Sequence, residues 1–256
     1  MSNKSLIVTI IVIILVAAGV VFAYNTRNAK APVEVTDQPQ NTSGDTTYIP
    51  PDNSSTTPET STSTKPTTMD QTTCKRDFDS NKLKTAQVNI ANRTVEIDVK
   101  DFGKIQVQFY EKDAPKAVEN FLRLVNSGYY DCLTVHRVAK GFVIQAGDPN
   151  GNGTGGQSAF GAPFQDELNP ETASYKAGYV KGVLAMANSG PNTNGSQFFI
   201  MLADVSLNHA YTIFGKVSVG QSVVDKIGQV EINPQMGPTD GSPVTPVVMQ
   251  SVKIIK

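Results

Sequence analysis

A mainly β fold, a closed antiparallel barrel with two helices, is predicted for residues 78–256 by three observations. Short apolar runs with two-residue alternation recur, turn residues punctuate them, and only two stretches carry helical spacing. Many short strands with few helices favour closure, because a closed sheet leaves no exposed edges. Taken in order, 94–99 and 104–109 alternate polar and apolar residues around Asp101-Phe102-Gly103, the pattern of a half-buried hairpin. That Asp-Phe-Gly is read as a turn, since no kinase context surrounds it. Asp113 then offers an N-cap with Pro115 in the first turn. Ala114, Ala117, Val118, Phe121, Leu122 and Val125 follow helical spacing to a stop at Gly128. Strands are expected at 133–138, 142–146, 183–187, 197–202 and 212–216, a short helix at 221–227, and a closing strand at 247–254.

Composition bounds the function. The chain of 256 residues carries 22 Lys and Arg against 23 Asp and Glu, a net charge of −1. No basic or acidic run stands out, so nucleic acid is not an expected partner. Cys74 and Cys132 form no CxxC pair and have no neighbouring His or Cys ligands, so no metal or other cofactor is expected.

The first part of the chain reads differently. After a short tail at 1–4, residues 5–24 are almost wholly aliphatic. As a helix the aliphatic run 6–23 would span about 27 Å, close to a bilayer's hydrocarbon thickness. A transmembrane anchor is therefore expected, giving a single-pass cell-membrane protein whose remainder is extracytoplasmic. The competing reading is a secretory signal cleaved near Ala23, against which the apolar run exceeds the usual span of about 7 to 15 residues. Residues 25–77 are dominated by Thr, Ser, Pro, Asn and Gln and are expected to remain a disordered tether.

Two stretches place polar groups within strand-like apolar sequence. In 135–148, Arg137 and Gln145 interrupt a run of aliphatic residues. Strand residues alternate faces, so a regular strand puts Arg137 on the side of Val135, and Val143 on the side of Gln145. If the two strands pair, a guanidinium, an amide and an apolar group line one concave surface. Residues 186–200 repeat the mixture, with a polar loop leading into an aromatic strand. A buried arginine that merely satisfies barrel carbonyls is the plainer alternative for Arg137, and Phe142, Val143 and Phe199 taken singly are more often core.

The runs HRVAKGFVIQAGD, NGNGTGG, MANSGPNTNGSQFFI and IFGKV, in that order and at those spacings, resemble the cyclophilin family of peptidyl-prolyl isomerases, in a membrane-anchored, bacterial-type form. The resemblance covers residue 94 to the C-terminus. It implies an eight-stranded barrel capped by two helices and an enzyme that accelerates rotation about Xaa-Pro bonds, with proline-containing polypeptides as substrates; with the expected anchor, secreted or surface proteins are the expected folding clients, and a monomer is expected. Carried over by motif, Arg137 is the catalytic arginine and Gln145 orients its fork. Phe142, Val143, Phe199, Leu207 and Tyr211 form the proline slot. Ala187, Asn188 and Ser189 hold the substrate backbone, while Gly156 and Gln197 border the pocket for the residue before proline. A proline-peptide binding module without turnover, or a purely structural surface protein, are the competing readings.

The chain departs from the family pattern in places. Val143 stands where methionine is frequent, Tyr211 where histidine is, and Ser206 where cyclosporin-sensitive members have tryptophan, so weak cyclosporin inhibition is expected. Cys132 stands where glycine is common. It is a candidate disulfide partner for Cys74 that would clamp the tether onto the barrel, with two separate thiols as the alternative. His136 is read as a structural, hydrogen-bonded histidine and His209 as a solvated loop residue. Gly151-x-Gly153-x-x-Gly156 matches a dinucleotide fingerprint formally, but residues 157–163 cannot open the required helix. Asp166 and Glu167 are read as a solvated loop.

Overall fold

The structure is a computed structural model that describes residues 74–85 and 87–256. The expected tail, anchor and most of the expected tether lie outside these residues. Contacts divide the chain into Met1–Met69 and Asp70–Lys256, and every described residue belongs to the second unit.

That unit is one curled antiparallel sheet with a few helices. Its strands are β1 (Thr94–Val99), β2 (Gly103–Phe109), β3 (Thr134–Val135), β4 (Arg137–Ala139), β5 (Val143–Ala146), β6 (Val183–Met186), β7 (Phe198–Met201), β8 (Ile213–Val219), β9 (Ile232–Pro234), β10 (Asp240–Pro243) and β11 (Val247–Ile254). They follow the order β3-β11-β1-β2-β8-β6-β7-β5-β4-β10-β9. β3 and β4 are two halves of one run broken at His136. One half pairs with β11 and the other with β5, so the sheet curls back on the segment from which it starts. β9 and β10 form a hairpin added beside β4.

Alternation decides which side chains face inward. Val138, Ile144, Ile200 and Leu184 lie opposite one another across β4, β5, β7 and β6 and enter the main core. Helix α2 (Pro115–Asn126; α1 is Ser80–Thr85) closes that core with Ala117, Val118, Phe121, Leu122, Leu124 and Val125. Phe121 sits at the centre of an aromatic cluster, with ring centroids of Phe109, Tyr130, Phe198 and Phe214 at 5.6, 4.9, 5.3 and 5.4 Å. Tilted and edge-on pairs at such distances add attraction beyond area burial. Two further helices are α3 (Ala173–Ala177) and α4 (Gln221–Ile227).

The start of α2 corrects one sequence expectation. Its N-cap is Ala114, with no side-chain cap, and Pro115 occupies the first turn. The carboxylate of Glu167 accepts from the N–H groups of Lys116 and Ala117, both at 2.9 Å, and so supplies the anion that a helix N-terminus favours. Asp113 instead accepts from Ser174 N–H at the start of α3, at 3.0 Å. Glu167 is thus a half-buried brace, not part of a solvated loop. Asp166 also has partners, taking Asn192 N–H at 2.8 Å and Asn194 Nδ2 at 2.7 Å.

Residues 74–79 are fastened to the barrel. Cys74 and Cys132 form a disulfide. Arg76 lies over the rings of Phe78 and Tyr129, 5.1 and 4.7 Å from their centroids, and its Nε donates to Tyr129 O.

Candidate functional site

The break at His136 sets the site. Val135 joins the main core, whereas Arg137 faces the opposite side of the sheet, so the two do not share a face as a regular strand would have them. Arg137 lies directly across from Gln145, and Gln145 directly across from Phe199. Opposed residues of antiparallel strands share a face, which puts guanidinium, amide and phenyl ring in one row. One residue pair along, Ala139, Val143 and Met201 make a parallel apolar row.

A second hydrophobic cluster grows on this outer face. It contains Ala139, Val143, Tyr179, Val183, Ala185, Phe199, Met201 and Ile213, with Phe142, Ala187, Leu207 and Tyr211 packed partly exposed against it. All the residues expected in a proline slot belong to it, and Val143 is its most buried member among them at 2 % exposure. Tyr211 stands edge-on to Phe199, with centroids 5.5 Å apart. It is held there by Tyr179, whose hydroxyl donates to Tyr211 O at 2.9 Å and accepts from Tyr211 N–H at 3.1 Å. Burial pushes the Tyr179 phenol above its ordinary value, so the hydroxyl keeps its proton.

A chain of polar side chains crosses the site. Arg137 Nε and Nη2 donate to the carboxylate of Asp240 at 2.8 and 2.6 Å, and Nη1 donates to Gln145 Oε1 at 3.0 Å. Gln145 Nε2 donates to Gln197 Oε1 at 2.9 Å, and Gln197 Nε2 reaches Gly153 O and Gly155 O at 3.0 and 2.7 Å. The arginine, both glutamines and the glycine-rich loop therefore form one connected unit.

That loop borders a cleft of about 410 Å³ lined by Gln145, residues 153–158, 161–163, 187–189 and 193–197. Gly156 has φ +117°, and a Cβ there would press on Ser196 Oγ at 2.5 Å, so glycine is required on two counts. The glycine-rich turn is wrapped around Asp148, whose carboxylate accepts from Asn150, Asn152 and Gly153 N–H at 2.8, 3.0 and 2.6 Å. Burial works to raise the Asp148 carboxyl, yet these bonds together hold it below the usual range. The N–H groups that a phosphate would need are already committed to this carboxylate. On the opposite wall, Ala187 N–H donates to Gln197 O and Ser189 N–H to Thr193 Oγ1. Between them, Asn188 N–H has no hydrogen-bond partner among the described residues. Its side chain instead ties the wall to Ala210 O at 2.9 Å.

Sequence reasoning missed Asp240, Tyr179 and Asn120. Asn120 is wholly buried on the apolar face of α2, where a polar residue is itself a signal. It donates to Gly195 O at 2.8 Å and accepts from Ala159 N–H at 2.7 Å, joining the two cleft walls. His136 corrects another expectation: it is buried with neither ring nitrogen hydrogen-bonded. His209 is half-buried and stacks on Tyr175 at 3.7 Å.

An apolar cluster beside a fixed guanidinium, with no activated nucleophile among the residues that line it, is the arrangement that a rotation catalyst for proline peptide bonds requires. The comparisons agree with that class. Residues 94–254 match the family model described as cyclophilin type peptidyl-prolyl cis-trans isomerase/CLD, and the chain belongs to that family. It is 48% identical over 130 residues to the peptidyl-prolyl cis-trans isomerase CYP18-2 of Arabidopsis thaliana, covering 50% of this chain and 77% of the relative. To the human peptidyl-prolyl cis-trans isomerase-like 1 it is 46% identical over 155 residues, 60% of this chain and 85% of the relative. A crystal structure of a Cryptosporidium parvum cyclophilin type isomerase superposes with TM-score 0.58 at 35% identity, covering 64% of this chain and 98% of that one. A second structure of that protein, in the presence of the dipeptide Ala-Pro, gives TM-score 0.57. The enzyme class is peptidyl-prolyl cis/trans isomerase.

The same findings overturn the expected localisation. The relatives are of the isomerase-like 1 and CYP18 types, and among the described residues no helix is long and apolar enough to cross a membrane. The first of these conflicts with a single-pass membrane protein carrying an extracytoplasmic domain. The membrane-anchored, bacterial-type subdivision likewise finds no support in these matches, and residues 5–24, on which it rested, lie outside the described residues.

Proposed function

We propose that this chain accelerates cis/trans rotation about Xaa-Pro bonds in polypeptide substrates with Arg137 as the catalytic donor and Gln145 as its orienter. Phe142, Val143, Phe199, Leu207 and Tyr211 receive the proline ring, and Asn188 binds the flanking main chain. Gly156 and Gln197 edge the pocket for the preceding residue. The observation that carries this reading is the cross-strand row of Arg137, Gln145 and Phe199. It sets a permanently charged fork beside the apolar cluster.

Rotation of a peptide bond faces about 18 to 20 kcal/mol, because conjugation must be broken. In the twisted state the prolyl nitrogen regains a lone pair and the carbonyl loses its partner. A guanidinium N–H that donates to the prolyl nitrogen stabilises that state more than the planar one, in which the lone pair is delocalised, and each 1.36 kcal/mol so gained is tenfold in rate. No proton is transferred and no covalent bond changes. All residues of the proposed site come from one chain, so a monomer suffices for the reaction. Clients assigned as secreted or surface proteins depended on the membrane placement and are given up with it.

The test is magnetisation exchange on an Ala-Pro peptide with the full chain and with Arg137→Ala. Loss of the donor is expected to slow exchange about 100-fold to 1000-fold. Equal rates, with peptide binding retained, would make the chain a binding module instead.

A further inference from the structure

The arginine fork is held from the β9–β10 hairpin added beside β4. β10 lies against β4 with Asp240 opposite Ala139 and Gly241 opposite Val138, two residues along from Arg137. The main chain of Asp240 is fixed independently of its carboxylate. Gln235 N–H and Met236 N–H donate to its carbonyl at 2.9 and 3.1 Å, and its own N–H donates to Gly237 O at 3.2 Å. Gly241 permits this close approach, because a Cβ there would run into Asn233 O.

From that anchored backbone we propose that Asp240 is a positioning residue for the isomerase reaction, an assignment that rests on the role given to Arg137 above. Its two carboxylate oxygens take Nε and Nη2 side-on, in the paired geometry that fixes the plane of a guanidinium as well as its place. Gln145 takes one proton of Nη1. Three of the five N–H donors of Arg137 are thereby committed, leaving one on Nη1 and one on Nη2 for a substrate. The pair is largely withdrawn from water, with side chains 25% and 18% exposed, so salt screens it less than a surface pair. The guanidinium keeps its charge throughout. What the carboxylate supplies is a fork already aimed before the peptide arrives, where a misplacement of about 1 Å costs on the order of 100-fold in rate.

The experiment uses the full chain as wild type, Asp240→Asn, Asp240→Glu, Arg137→Ala and the double variant Asp240→Asn/Arg137→Ala. Asp240→Asn is expected to lower kcat at least about tenfold while KM stays within about twofold. Asp240→Glu is expected to recover part of the loss, and Asp240→Asn to cost nothing further once Arg137 is absent. Nuclear magnetic resonance gives a readout that a purely structural role would not move: the Arg137 Nε–Hε signal exchanges slowly with solvent in wild type and fast in Asp240→Asn. Unchanged kcat would overturn the assignment. So would a rise in kcat, which would mean that the carboxylate competes with substrate for the fork, or an equal fractional loss with and without Arg137. Should Asp240→Asn fail to fold, Asp240→Ser replaces it, and failure of both variants to fold overturns the positioning role in favour of a structural one. A wild-type exchange rate in Arg137→Ala, by contrast, refutes the reading of the site itself, whatever Asp240 does.

Discussion

Replacing Asn120 by alanine tests whether the cleft walls are held by a single buried amide. The side chain is fully enclosed, and each end meets main chain: Gly195 O at 2.8 Å and Ala159 N–H at 2.7 Å. Truncation leaves a half-buried carbonyl at Gly195 and a buried N–H at Ala159 without partners, each costing about 1 to 3 kcal/mol. The sum lies between about 2 and 6 kcal/mol, with the lower end reached if water enters the space. Even about 2 kcal/mol changes the folding equilibrium about 30-fold. Urea unfolding at unchanged slope reads this loss directly. Because Gly195 and residues 153–158 line the cleft, the peptide KM is expected to rise severalfold with little change in kcat. A loss below about 0.5 kcal/mol together with an unchanged KM would refute the claim that Asn120 joins the two walls.

Other consequences are as direct. Burial, reinforced by Arg137 and opposed by Asp148, holds the His136 imidazole below its ordinary value. The unfolded chain therefore binds that proton more readily, so the contribution is complete above about pH 6.5 and is lost as pH falls from there toward the lower folded value, with a slope of at most about 1.4 kcal/mol per pH unit. Tm measured from pH 7.5 to 5.0 should fall less steeply in His136→Phe, and identical slopes would count against this. Reduction of the Cys74–Cys132 bond, with a sequence separation of 58, is expected to lower stability by up to about 4 kcal/mol on chain-entropy grounds; equal unfolding midpoints with and without reductant would show that the closed loop contributes nothing. Ser206 offers no indole donor, so cyclosporin should inhibit weakly, and nanomolar inhibition in a peptide assay would contradict that.

The elements legible in the sequence are those whose burial is periodic. β1 alternates half-buried and buried residues along its whole length, and α2 places Ala117, Val118, Phe121 and Val125 on one face, so both could be read from spacing alone. The β9–β10 hairpin was missed because Ile232–Pro234 and Asp240–Pro243 are short and proline-containing, the first largely exposed and the second half-buried, with no apolar face to repeat. With the hairpin went Asp240, whose partner lies 103 residues away. Glu167 looked solvated because its helix partners stand 50 and 51 residues upstream. At His136 the regular period itself misled: the strand breaks there, and Val135 and Arg137 take opposite sides. Arg137, Gln145 and Phe199 were legible because their polar and aromatic character sits within recognisable runs, whereas the bonds that hold them are properties of the fold.

The bond between Cys74 and Cys132 also sets a load path. A pull on residues ahead of Cys74 reaches the barrel at Cys132, next to β3, and bypasses the first hairpin and α2, which lie inside the covalent ring. Those elements cannot be peeled away from that end, and a protease nick within the ring leaves both fragments fastened together.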